Sequence, residues 1–108
     1  MGKRIVSFRI ERSAIELMDS MNKSRSSVAR DAINSLIHEG ITNDDILMVA
    51  MSIPIDGKRG VSLKVDEETL DKLKRIAEEH DLQLSELLRI AIWKLLLKEG
   101  VVGSLKAQ

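Results

Sequence analysis

Two sets of alternate residues in this chain carry side chains that can hydrogen-bond or bear positive charge. Lys3, Ile5, Ser7 and Arg9 form the first set, and Lys58, Gly60, Ser62 and Lys64 form the second. A spacing of two puts each set on one face of a strand. A guanidinium can bridge two acceptors on a base edge, a hydroxyl can donate or accept there, and Ile5 can meet a thymine methyl. That is the chemistry of recognition. Nothing in the chain points to catalysis: it has no Cys, no Ser-His-acid arrangement, no glycine-rich phosphate loop and no carboxylates paired at a plausible site. No enzymatic activity is expected. His38 and His80 have no ligand-spaced partner, so neither a metal nor another cofactor is expected.

The elements that must hold these side chains follow from the same alternation. Gly2-Lys3-Arg4-Ile5-Val6-Ser7-Phe8-Arg9-Ile10 returns as Gly57-Lys58-Arg59-Gly60-Val61-Ser62-Leu63-Lys64-Val65. In each copy the opposite face is apolar: Val6, Phe8 and Ile10 in one, Val61, Leu63 and Val65 in the other. One face is therefore buried and one wet. An internal repeat of this kind determines the fold before any single residue does. Each strand leads into two segments with helical spacing. The first pair carries Ala14, Ile15, Leu17, Met18 and Met21, then Val28, Ala32, Ile33, Leu36 and Ile37, with Gly40 as a stop. The second carries Leu70, Leu73, Ile76 and Ala77, then Leu84 through Glu99 with Gly100 as a stop. Asp66 is a good cap for its helix, with Glu67 and Glu68 in the favoured first turn. Glu11 takes the equivalent cap position in the first copy, with Ser13 as a competitor.

Aligning Arg30-Asp31-Ala32-Ile33 with Arg89-Ile90-Ala91-Ile92 leaves four extra residues in the second copy. They are assigned to the interhelix turn at Glu78-Glu79-His80-Asp81-Leu82. Arg30 and Arg89 are read as structural, and Trp93 as core. Residues 41–56 join the copies; Thr42 or Asn43 can cap a short helix through Met51, stopped by Pro54, although Ile46–Met51 reads equally well as extended. The linker is too apolar to hang free and is expected to pack, and the excess apolar surface of the last helix implies a contact with it or with another chain.

At 108 residues, either copy alone is too short to bury an adequate core, so the two must lean on each other or on a second chain. Formal net charge is zero, but its placement is uneven. Residues 1–40 hold 7 basic and 5 acidic side chains, residues 41–56 hold 3 Asp and no base, and residues 57–108 hold 10 basic and 9 acidic. Local patches, more than totals, steer a polyanion. No run of 18 apolar residues and no signal peptide are present, which together with the absence of Cys leads to a cytoplasmic expectation without membrane association.

Strand, helix, turn and helix in about 40 residues, with Ser24-Arg25-Ser26-Ser27-Val28-Ala29-Arg30-Asp31-Ala32-Ile33 opening the second helix, resembles the ribbon-helix-helix (Arc/MetJ-type) family of transcriptional regulators. The resemblance covers residues 2–40 and 57–100. It implies a mainly α fold with a short antiparallel β-ribbon, a tandem ribbon-helix-helix of two β-α-α repeats. Residues 1–40 would be the first unit, 41–56 the linker, 57–100 the second unit and 101–108 a short tail. It also implies sequence-specific binding of double-stranded DNA by a transcriptional regulator, a repressor, through a ribbon in the major groove. Base readout would fall to Ile5, Ser7, Arg9, Gly60, Ser62 and Lys64. Phosphate contacts would fall to Lys3, Arg4, Ser24, Arg25, Ser26, Lys58 and Arg59. Gln83-Leu84-Ser85 replaces the serine-arginine clamp in the second copy, and Gly60 offers no side chain to read with. Intrachain pairing of the strands, a pseudo-dimer, is favoured over pairing between chains, because both strands share length and face pattern. The rivals are an antitoxin-like or adaptor module and a sequence-indifferent architectural DNA binder. No small-molecule effector is evident.

Overall fold

The computed structural model of the chain describes residues 2–54 and 56–99, so Gly100 and the tail 101–108 lie outside it. The order is β1 (Lys3–Glu11), α1 (Arg12–Asp19), α2 (Arg25–Glu39), α3 (Asn43–Ser52), β2 (Lys58–Asp66), α4 (Glu67–Glu79) and α5 (Leu84–Lys98). Among the described residues five helices and one two-stranded antiparallel sheet make a mainly helical α+β fold. Each strand runs one residue later than its alternation predicts, taking in Glu11 and Asp66.

β1 and β2 of the same chain pair in a register centred on Ser7 opposite Ser62, with Ile5 opposite Lys64 and Arg9 opposite Gly60. The inner face of this ribbon, Val6, Phe8, Ile10, Val61, Leu63 and Val65, is buried against the helices. Its apolar surface cannot be hidden by two strands alone, which is why the helices are needed. α5 is the central element: it touches β1 and all four other helices. That position explains its near-continuous apolarity, with Leu87, Leu88, Ile90, Ala91, Ile92, Trp93 and Leu96 all buried. The linker contact anticipated for it is the one α3 makes, and Val49 of α3 is fully buried.

Residues 43–52 are helical, because Thr42 and Asp45 close a capping box. The Thr42 hydroxyl accepts from the Asp45 amide at 3.1 Å, and the Asp45 carboxylate accepts from the Thr42 amide at 3.0 Å. Lys94 ties this helix start to α5, reaching Asp45 at 3.2 Å and the Gly40 carbonyl at 3.2 Å. Gly40 ends α2 as expected, with φ 76°, a conformation that favours glycine.

Two expectations are corrected. The four extra residues of the second half do not lengthen the turn. α4 runs through Glu79, five residues longer than α1, and the turn that follows is one residue shorter. Glu78 and Glu79 are good helix formers on an exposed face, so they extend the helix. Both turns use one left-handed residue two positions before the next helix's cap, Asn22 and Asp81, each with φ 58°. Asp81 completes a Schellman-type ending, with Leu82 N–H donating to the Ala77 carbonyl at 2.8 Å. Glu11, in turn, occupies the cap position of α1 but its side chain does not cap. The linker does this instead: the Asp56 carboxylate accepts from the Ser13 amide at 3.1 Å, and the Gly57 carbonyl from the Arg12 amide at 2.8 Å.

Candidate nucleic-acid interface

The outer face of the ribbon brings together the six residues expected to read bases. Ile5, Ser7, Arg9, Gly60, Ser62 and Lys64 are all exposed, and Ile5 is 69% accessible despite being apolar. At the centre the Ser7 and Ser62 hydroxyls lie 3.1 Å apart. On either side a long cation stands beside a residue that cannot compete with it, Arg9 beside Gly60 and Lys64 beside Ile5. A Cβ added at Gly60 would meet nothing within 4 Å, so the strand leaves open space next to Arg9. The Arg9 guanidinium rests loosely on the Lys58 carbonyl at 3.4 Å and is free to turn outward. No acidic residue occurs from Lys3 to Arg9 or from Lys58 to Lys64.

The seven residues expected to meet phosphates are less uniform. Lys3 and Lys58 lie exposed at opposite ends of the ribbon. Arg59 lines one cleft with Gly60, Arg12, Asp19 and Arg25. Arg4 is engaged by Glu67 at 3.2 Å, with both side chains more than half exposed. Ser24 caps α2, accepting from the Ser27 amide at 3.1 Å, and Ser26 lies 3.3 Å from it. Arg25 is held by Asp19 through two hydrogen bonds of 2.9 Å. Hydrogen bonding from Arg25 holds the Asp19 carboxyl below its usual range, and the same bonds raise Arg25. Both pairs are solvent-screened, so a phosphate can displace the carboxylate at little cost. In the second half Gln83 occupies the cap, and closure comes from Glu86, which accepts from the Gln83 amide at 3.1 Å.

One constellation was not anticipated. Strand alternation assigns Glu11 to the outer face, yet its side chain is only 4% exposed. It turns inward to accept from Arg89 Nε at 3.0 and 3.1 Å, from Arg89 Nη2, and from the Trp93 indole N–H at 2.8 Å. Burial alone would raise the Glu11 pKa; the hydrogen bonds from Arg89 and Trp93 and the Arg89 charge outweigh it and hold the carboxyl low. The available signal was Trp93 itself, since a buried indole N–H needs an acceptor. Arg89 is thus structural, as expected. Arg30 is not placed this way: it is exposed, and the adjacent Asp31 is taken by Lys23 at 3.1 Å.

Among the described residues no helix is long and apolar enough to cross a membrane. Comparison of the chain with protein-family models, curated proteins and solved structures found no match.

Proposed function

We propose that this chain is a sequence-specific double-stranded DNA-binding regulator of transcription, a repressor, built as a tandem ribbon-helix-helix protein. The units 1–40 and 57–100 each supply one strand of a single reading head. The observation that carries this reading is the outer ribbon face, which presents Lys3, Arg9, Lys58 and Lys64 with two central hydroxyls and no carboxylate among the reading residues. A two-stranded ribbon fits the major groove. Reading rungs two residues apart are spaced by about 6.8 Å, so the three of them span about four base pairs. Arg9 bridges guanine N7 and O6 in the space left by Gly60, Ile5 packs on a thymine methyl, and Lys64 contacts an acceptor at the opposite end. The cations at the strand ends and Ser24, Arg25 and Ser26 position the backbone. Bound there, the protein blocks access to the duplex.

Selection from random duplex tests this. The expected product is a short enriched core that is not palindromic, because its two ends face different side chains, and Arg9→Ala should relax one position of it by about 1–3 kcal/mol. Competition by unrelated duplex at equal strength would defeat the proposal and leave an architectural binder. One observation favours a second reading, an adaptor or antitoxin-like module: Leu47, Met48 and Met51 on α3 are exposed. A stoichiometric protein partner that co-purifies and is lost with Met51→Lys would support it.

A further inference from the structure

The two ends of the ribbon carry matching positions with opposite outcomes. Arg89 and Arg30 are each the sixth residue of their 15-residue helix, and Trp93 and Asn34 are each the tenth. Glu11 and Asp66 each end a nine-residue strand. At the first end the glutamate reaches inward, neutralises Arg89 and bonds the indole, so the cleft that Arg89 lines with Arg9, Lys58, Ser85 and Glu86 holds a guanidinium already paired. At the second end the aspartate is one methylene shorter and is turned to α4, where it accepts from the Thr69 amide at 2.8 Å. Among the described residues no carboxylate pairs with Arg30, and Asn34 holds the helix position that Trp93 holds in α5. At this end a cavity of about 190 Å³ is lined by the cations Lys3, Arg30 and Lys64 together with Asn34, Thr69, Asp66, Ile33 and Val65.

We infer that this cavity is an oxyanion site for a phosphate group. Three cations converge on it against one carboxylate that is already occupied as a cap, an imbalance that a phosphate offsets. Arg30 supplies a planar fork, Asn34 an amide donor and Lys3 a mobile point charge, while Lys64, whose ammonium is assigned to a base when duplex is bound, adds its field. Lys3 and Lys64 also belong to the outer face of the ribbon, so the cavity opens where a bound duplex would place its backbone. The phosphate therefore comes either from the DNA backbone, an arm that rests on the function proposed above, or from a free phosphorylated small molecule, which does not.

The full chain, Arg30→Gln, Lys3→Gln and the control Arg75→Gln, an equal charge change outside the cavity, are compared. Titration of the free proteins with inorganic phosphate and pyrophosphate, read by the Arg30 side-chain NMR signal and neighbouring amides, reports a free ligand. Saturable shifts in the wild type and Arg75→Gln, lost in Arg30→Gln and Lys3→Gln, support the site with a free phosphate. The salt dependence of duplex binding reports the backbone source. A slope reduced by about one unit in Arg30→Gln but not in Arg75→Gln supports that assignment. Neither response in an Arg30→Gln protein with an unchanged melting temperature overturns the inference, as does an equal response in Arg75→Gln. If the wild type binds no duplex at all, the DNA reading fails and the phosphate titration alone decides the site.

Discussion

Replacing Glu11 by Gln should be among the most damaging single-atom exchanges available in this chain. The glutamate side chain is 4% exposed and Arg89 25% exposed, and three donors converge on the carboxylate. Breaking a buried pair by neutralising one partner costs about 3–5 kcal/mol. Two features place the cost at the lower end. Water reaches the freed guanidinium, and the amide oxygen of Gln keeps an acceptor for the Trp93 indole. A loss of about 3 kcal/mol lowers the melting temperature by roughly 12 °C in a domain of this size, at about 4 °C per kcal/mol. Thermal and urea unfolding measure it. Adding Arg89→Gln should recover part of the loss, because the uncompensated charge is then gone. A Glu11→Gln protein that melts within about 3 °C of wild type (under 1 kcal/mol), or a double variant with no recovery, would refute the argument that this carboxylate ties the end of β1 to α5.

Acid should act through the same group. The folded Glu11 pKa is depressed, so its stabilisation is fully present above the unfolded value of roughly 4.3 and fades as pH falls through the lower folded one. Asp45, held down mainly by the Thr42 amide, and Asp66, by Thr69, have the same sign. The urea midpoint should be flat from pH 7 to 5 and fall below that, and the Glu11→Gln protein should lose less of it over the acid range. Asp19→Asn should release Arg25, raise affinity for all duplexes alike and steepen the salt dependence by up to about one unit; direct binding at several salt concentrations checks this. Gly60→Ala should stabilise the fold by about 0.5–1 kcal/mol, as measured by urea unfolding, since an added Cβ meets nothing within 4 Å.

The ribbon was legible because its signal is local. Alternation alone separates Val6, Phe8 and Ile10 from Ser7 and Arg9, and the caps Ser24 and Asp66 announce their helices within three residues. Legibility fails where the deciding partner is remote. Glu11 continues the outward parity of the strand and turns inward only because Arg89, 78 residues on, and Trp93 lie beneath it. The clamp of Asp19 on Arg25 needs the geometry of the intervening turn, which spacing does not supply. The extension of α4 was hidden by its polarity: Glu78 and Glu79 look like a loop to a search for apolar residues, although their helix propensity is high. The cavity at Arg30 is the least legible feature, since its lining is drawn from both strands and from two helices far apart in the chain.

The pairing of β1 with β2 also governs how the chain must be made. Every partner of β1 lies 47 to 63 residues further along. At synthesis rates of about 5–20 residues per second, the first strand waits several seconds before its partner exists. During that interval β1 presents an unsatisfied edge and an uncovered apolar face, and the first helices have no α5 to close on. The cations at Lys3, Arg4 and Arg9 then repel like edges on neighbouring nascent chains, a protection that an apolar strand would lack. The same charges assigned to gripping a duplex thus keep the half-made protein from pairing with its own kind.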